Sequence, residues 1–434
     1  MHYFLYTFLL ITLILAALPI LLWKYFSTAK YKGTIRQRFG FDLPTLPNKN
    51  NSKTIWLHAV SVGETLGAKG VVEKLKQQFP NHDIVLSTVT KTGQQVAKDK
   101  LSGVAATFYL PIDLPWVVNR VVAEIQPRFF VVMETELWPN LFHALEKKNI
   151  PVITINGRLS PSSFKNYARF SFFMKKFLNP VKLFAMQSAM DAQRMATIGG
   201  DSKKIVNTGN LKFDQAVKTA SPEEMELLAQ KLPHPKGQVW IAASTHPSEE
   251  EIVLAVFARL LKKFPTLKLI LVPRHPERGN KIAEMIKKSN WSYTTIAEID
   301  DNKEGKDWLN PILLVDKVGW LTRLYGYAKV AYIGGSLIPH GGQNMLEAAA
   351  WSIPPVFGPS TYNFQEASRQ IIEADGGVMI TDTNTLYSAI ADLLQNEEKC
   401  KKMGKNAQQV VEENTGALDR TMNAIINTIN KESP

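Results

Sequence analysis

Short apolar, β-branched runs alternate with longer stretches of helical periodicity along almost the whole chain, and this restricts it to an α/β architecture. In the first half the runs are Ile55–Val60, Ile84–Leu86, Thr107–Leu110, Phe129–Met133, Val152–Ile155 and Leu183–Met186. The second half repeats the plan with Val239–Ala242, Leu267–Val272, Ile312–Val315, Val330–Ile333, Pro355–Phe357 and Val378–Ile380. Runs without polar alternation suit parallel strands buried on both faces. For 434 residues, two doubly wound, Rossmann-like domains are the economical solution. The expected boundaries are a leading helix over 1–24, a first domain over 25–217, a connector over 218–238 and a second domain over 239–405. Ser221, Pro222 and Glu224 give the connector a helix start, and Leu232–Gly237 is a breaker cluster. The tail, 406–434, is helical by pattern and is expected to pack across both domains.

Tyr3 to Trp23 carries no formal charge over 21 residues, and a helix of that length rises about 30 Å, the thickness of a bilayer core. No basic segment precedes it, so it reads as an uncleaved anchor rather than a signal peptide; a buried or interfacial helix is the alternative. Lys24, Lys30, Lys32, Arg36 and Arg38 follow before the first acid, Asp42, which predicts a cytoplasmic location for the domains. The whole chain has a formal charge of +12. Up to Gln215 there are 27 Lys and Arg against 13 Asp and Glu, and beyond it 24 against 26. The positive excess therefore belongs to the half behind the anchor, as expected for a domain on an anionic leaflet. The basic residues are not interleaved with aromatics and no zinc-finger or RNA-recognition signature occurs, which disfavours nucleic acid. One cysteine, Cys400, permits neither an intrachain disulfide nor a cysteine-based zinc site.

G-x-G-x-x-G, Walker-type and H-E-x-x-H motifs are missing. Polar clusters instead follow the apolar runs, where open α/β sheets bind ligands. Trp56–Glu64 (WLHAVSVGE) ends a strand and places Glu64 in the first turn of a helix continuing through Lys76. The carboxylate there either complements the helix dipole or acts as a general base. Met133–Asn140 (METELWPN) brings Glu134 and Glu136 out of a strand together, as paired acids in a dry site or as helix-N-terminus acids. Gly209–Asp214 (GNLKFD) offers Lys212, which is either a surface lysine or a partner for an anion. Val272–Arg278 (VPRHPER) holds Arg274 between prolines, its planar fork suited to a pair of anionic oxygens. Tyr332–Ser336 (YIGGS) and Gly341–Ala350 (GGQNMLEAAA) supply two glycine pairs before a helix, a phosphate-binding pattern, with Glu347 one turn beyond Asn344.

Together with the NGRLS of Asn156–Ser160 and the GPSTYNF of Gly358–Phe364, these segments resemble the 3-deoxy-D-manno-octulosonic acid (Kdo) transferases of lipopolysaccharide assembly. The resemblance implies the B-type glycosyltransferase fold, with an acceptor-binding first domain and a CMP-sugar-binding second domain facing a central cleft. It further implies inverting transfer of Kdo from CMP-Kdo to a lipid A precursor at the inner membrane, with no cofactor and no metal in the chemical step. Glu64 then corresponds to the base that deprotonates the acceptor, and Glu134 and Lys212 to a pair supporting the transition state. Pro273 and Arg274, the turn Val318, Gly319 and Trp320, and the run Asn344, Met345, Leu346 and Glu347 match the CMP-contacting segments, those at Val318 and Trp320 through the backbone. The implied partners are CMP-Kdo, an anionic phosphorylated lipid and the membrane surface. A sugar-nucleotide epimerase or hydrolase of the same fold is the rival reading, and a non-catalytic membrane scaffold a third.

Overall fold

The structure is a computed structural model and describes residues 1–27, 33–45, 54–216, 220–300, 308 and 310–432. Lys30 and Lys32 of the basic flank and the first residues of the expected connector lie outside these. Two compact units emerge: Met1–Gln215 with Gly416–Pro434, and Ala216–Thr415.

The first unit carries seven strands: β1 (Thr54–His58), β2 (Asp83–Thr88), β3 (Val104–Tyr109), β4 (Pro127–Met133), β5 (Val152–Gly157), β6 (Val181–Met186) and β7 (Ile205–Asn207). All described pairings are parallel, in the order β3-β2-β1-β4-β5-β6-β7. The chain departs from β1 in one direction and returns at β4 on its other side, so their carboxyl ends flank the topological switch point. Alternate residues feed two separate cores. Trp56, Phe130 and Phe184 face one, and Ile55, Leu57, Phe129 and Leu183 the other.

The second unit repeats the design with β8 (Val239–Thr245), β9 (Lys268–Pro273), β10 (Tyr293–Thr295), β11 (Ile312–Leu314), β12 (Val330–Ile333), β13 (Pro355–Phe357) and β14 (Val378–Met379). Its order is β10-β11-β9-β8-β12-β13-β14, again parallel, with the switch point between β8 and β12. Each apolar run seen in the sequence is a strand. The short edge strands β7 and β10 are additional; with only three residues each, half-exposed or exposed, they leave little hydrophobic pattern.

The tail expected as one helix over 406–434 is two. Glu397–Asn414 belongs to the second unit and Ala417–Glu432 to the first. Between them Gly416 takes φ +80°, a conformation that only glycine adopts freely, and its N–H and that of Leu418 donate to Asp214 at 2.6 and 2.7 Å. Met422, Ile425 and Ile429 of the last helix complete the core that covers Ile55 and Leu183. The helix Pro222–Lys231 begins with the expected capping box of Ser221 and Glu224. It belongs to the second unit rather than standing apart. The leading helix runs from His2 to Ser27, longer than expected, and its residues His2–Ile20 are apolar and long enough to cross a membrane.

Candidate active site

β1 ends at His58, and the chain turns through Ser61 into the short helix Val62–Gly67. The helix stops at Gly67 and a new one starts at Lys69, so the continuous helix expected through Lys76 is broken. Glu64 stands in the first turn. Its Oε2 accepts from Val60 N–H at 2.9 Å and its Oε1 from Ser61 Oγ–H at 2.9 Å. These bonds fix the carboxylate and favour its charged form, but burial outweighs them, and with the nearby Glu134 charge the net proton affinity rises. Helix-dipole complementarity alone does not account for a carboxyl held in this state.

Glu134 follows β4 directly and takes φ +56°, an uncommon conformation for a side-chain-bearing residue. Its N–H donates to Ile155 O at 2.9 Å, which locks the strand end against β5. Arg158, just beyond β5, approaches Glu134 with Nε at 3.8 Å from Oε2. Thr135 holds the Arg158 backbone by accepting its N–H at 3.0 Å. Glu136 lies in the same pocket of charge: burial first, then Glu64 and Glu134, push its pKa up to about 7. It therefore exchanges protons near neutral pH.

Lys212 stands in the first turn of the helix Leu211–Ala216, held in place by Asn156 and Asn210, which accept from Leu211 N–H at 3.1 Å and Lys212 N–H at 3.0 Å. It is half-buried rather than a surface lysine. Desolvation lowers its pKa and Arg158 adds to that, whereas Glu134 and Glu64 oppose it. Glu64, Glu134, Glu136, Arg158 and Lys212 thus share one electrostatic site at the β1/β4 switch point. Sequence reasoning singled out Glu64, Glu134 and Lys212. Glu136 enters the sequence reading as Glu134's paired acid or as a helix-N-terminus acid, and Arg158 only as part of the NGRLS segment, with no role of its own.

In the second unit, Glu249 organises the corresponding switch point. This buried carboxylate accepts from His246 N–H at 3.0 Å, Tyr332 O–H at 2.7 Å, Gly335 N–H at 2.7 Å and Leu337 N–H at 3.3 Å. It joins the loops after β8 and β12. Pro273 closes β9, and the exposed Arg274 is anchored by its N–H to Thr245 O at 2.9 Å. Arg278, not Arg274, takes the structural role, pairing through both terminal guanidinium nitrogens with buried Glu250 at 2.8 and 3.2 Å. Asn344 donates to Glu347 Oε1 at 3.0 Å. Burial raises the Glu347 pKa, while Asn344 and Arg274 pull it down. Met345 and Leu346 are fully buried, and the Leu346 N–H donates to Asn344 Oδ1 at 3.2 Å. Val318 is exposed, Gly319 has φ +90° with open space at its Cβ position, and Trp320 is buried.

One expectation changes here. The glycine pair Gly341-Gly342 does not open the helix, which begins only at Leu346. Gly341 N–H donates to Ser360 Oγ at 3.0 Å and Gly342 N–H to Gly335 O at 2.8 Å. Both N–H groups are committed to folding the loop, and a phosphate has no claim on them.

Residues 33–215 match the family described as "3-Deoxy-D-manno-octulosonic-acid transferase (kdotransferase)". A 3-deoxy-D-manno-octulosonic acid transferase of Haemophilus influenzae is 35% identical over 401 residues, covering 92% of each chain. The chain belongs to this family. It is a Kdo transferase, a glycosyltransferase of lipopolysaccharide biosynthesis. The Kdo transferase of Chlamydophila psittaci is 29% identical over 97% of this chain and 95% of its own. The UDP-GlcNAc 2-epimerase of Neisseria meningitidis shares the fold, with a TM-score of 0.57 at 14% identity over 87% of this chain and all of the epimerase. Within this Kdo transferase, Glu64, Glu134, Glu136, Arg158 and Lys212 act on one another in the first unit, and in the second Arg274 and Asn344 act on Glu347.

Proposed function

We propose that the enzyme transfers Kdo from CMP-Kdo to a hydroxyl of a lipid A precursor, with inversion, at the cytoplasmic face of the inner membrane. The observation that carries this reading is the Glu64 carboxylate, oriented by two hydrogen bonds and raised in proton affinity, in one site with a half-buried lysine. A sugar hydroxyl is a poor nucleophile, so Glu64 takes its proton as the oxygen bonds to the anomeric carbon. The bond from that carbon to the phosphate oxygen breaks, and CMP leaves with the electron pair as a phosphate monoester. Lys212 and Arg158 supply the positive charge that the developing anions need, so the step requires no metal. Glu134 holds both cations in place.

On the donor side, Arg274 and Glu347 offer side chains for CMP, and Asn344 positions Glu347. Pro273, Val318, Gly319 and Trp320 contribute shape and backbone groups, while buried Met345 and Leu346 support the turn that carries Asn344 and Glu347. Purified enzyme incubated with CMP-Kdo and a lipid A precursor should yield acceptor heavier by whole Kdo units on mass spectrometry, with the new anomeric configuration opposite to the donor's. Free Kdo with unchanged acceptor would identify a hydrolase instead, and an isomerised donor an epimerase.

A further inference from the structure

The apolar leading helix is not lipid-facing on all sides. His2, Tyr3, Tyr6, Thr7, Leu10, Ile11, Ile14 and Ala17 are half-buried, and their spacing of three and four marks one continuous face. That face is fastened to the first unit. Tyr6 O–H donates to Asp113 Oδ2 at 2.9 Å, Asn140 Nδ2 donates to Thr7 Oγ at 3.0 Å, and the Tyr3 ring stacks on His143 at 4.0 Å. Asp113 is itself buried and accepts from Asn140 N–H and Leu141 N–H at the start of the helix Pro139–Lys147. The hydroxyls of Tyr3, Tyr6 and Thr7 are thus paired with the domain, and that of exposed Thr12 donates to Phe8 O of its own helix at 2.9 Å. These fastening contacts fall within His2 to Thr7, about 8 Å of helix at about 1.5 Å per residue. From Ser27 at the far end to buried Thr34, the chain can reach at most about 25 Å. Both ends of the helix are therefore tied to the same body. A span would place them on opposite sides of a core about 30 Å thick.

The opposite face is exposed and apolar, with Phe4, Phe8, Leu9, Leu13, Ile20 and Trp23. Beside its first turn, His2 packs on Phe172 and Phe173 of the helix Ser171–Leu178, whose Phe172 remains 71% exposed and whose last turn bears Lys175 and Lys176. Apolar side chains next to a basic rim fit an anionic lipid leaflet.

We infer that this helix is monotopic: clamped along the domain through Tyr3, Tyr6 and Thr7, it buries its other face in one leaflet of an anionic membrane without crossing it. The arrangement holds the first unit flat against lipid instead of on a tether. It is independent of the transfer chemistry, and so is its test. In full-length protein with Cys400→Ser, a single His2→Cys should react with a membrane-impermeant maleimide on the same side of sealed vesicles as Lys69→Cys. Detergent should change neither yield by more than about twofold. The double variant His2→Cys/Phe172→Cys should form a disulfide within one chain under mild oxidation in those vesicles, and Tyr6→Phe should lower its yield. Labelling of His2→Cys that needs detergent, a rise of about tenfold, establishes a span and overturns the proposal. A crosslink between two chains assigns the apolar face to a second copy and overturns it equally.

Discussion

The Glu134 carboxylate raises the proton affinity of Glu64 across the gap between β4 and β1. The two acids come from strands that are neighbours only because the chain reverses direction at this point of the sheet. The same Glu134 charge raises the pKa of Lys212 and faces Arg158. One carboxylate thereby tunes a base and holds two cations, while burial sets the level from which each is tuned.

The first expectation concerns the base. Glu64→Gln retains the shape and the hydrogen bond from Val60 N–H but cannot take a proton. Transfer should fall by about 10²- to 10⁴-fold, the usual contribution of a general base, with CMP binding in calorimetry unchanged. Transfer near the wild-type rate removes Glu64 from that role.

Glu134→Gly separates strain from function. Relief of φ +56° should stabilise the protein by about 1 kcal/mol in denaturant titration, since glycine adopts this conformation without a Cβ clash. Activity should nevertheless drop, and the alkaline limb of the pH–rate profile should move to lower pH, because Lys212 loses the charge that raises its pKa. A variant less stable than wild type contradicts the strain argument.

Glu136 makes stability pH-dependent. Its folded pKa of about 7 exceeds the unfolded 4.5, so between these values the native state binds more protons than the unfolded chain. Its contribution is complete below pH 4.5 and is lost as the pH rises through 7. Wild type should therefore lose stability relative to Glu136→Gln over this range, by about 1 kcal/mol after screening by solvent. Parallel denaturant midpoints for the two proteins would exclude the buried acid.

Much of this was legible in the sequence, for identifiable reasons. Fully buried parallel strands leave uninterrupted apolar runs, so β1 and β4 and the polar residues after them could be read directly. Glu64 and Glu134 each follow such a run, whereas Lys212 follows the short edge strand β7 and was legible only through its GNLKFD segment. Arg158 and Glu136 were harder, because their roles come from neighbours contributed by other strands. Gly341 and Gly342 misled because a glycine pair signals a turn but not which N–H groups the turn consumes. The hydroxyls of Tyr3, Tyr6 and Thr7 looked incidental within an apolar run. Their meaning depends on Asp113 and Asn140, which no local pattern connects to them.

The proposed charge arrangement predicts that transfer needs no metal. Preparations stripped with EDTA should keep full transfer activity, and Lys212→Met should cost about 10²- to 10³-fold, comparable to the removal of one preorganised donor at a developing anion. Activity that is lost with EDTA and restored by a divalent cation would show that Lys212 and Arg158 are insufficient.

Glu249 offers the corresponding test in the second unit. Its four accepted hydrogen bonds tie the loop after β8 to Gly335 and Leu337 after β12, and His246 in turn contacts Gln343 at 3.0 Å. Glu249→Gln replaces an acceptor with an amide donor facing N–H groups. It should destabilise the protein by about 1–3 kcal/mol, the cost of leaving buried polar groups unsatisfied. Because the same loops carry the route to Asn344 and Glu347, the KM for the donor should rise while kcat changes less. An equal loss in kcat with an unaltered donor KM would mean that Glu249 acts on the chemical step and not on the shape of the nucleotide site.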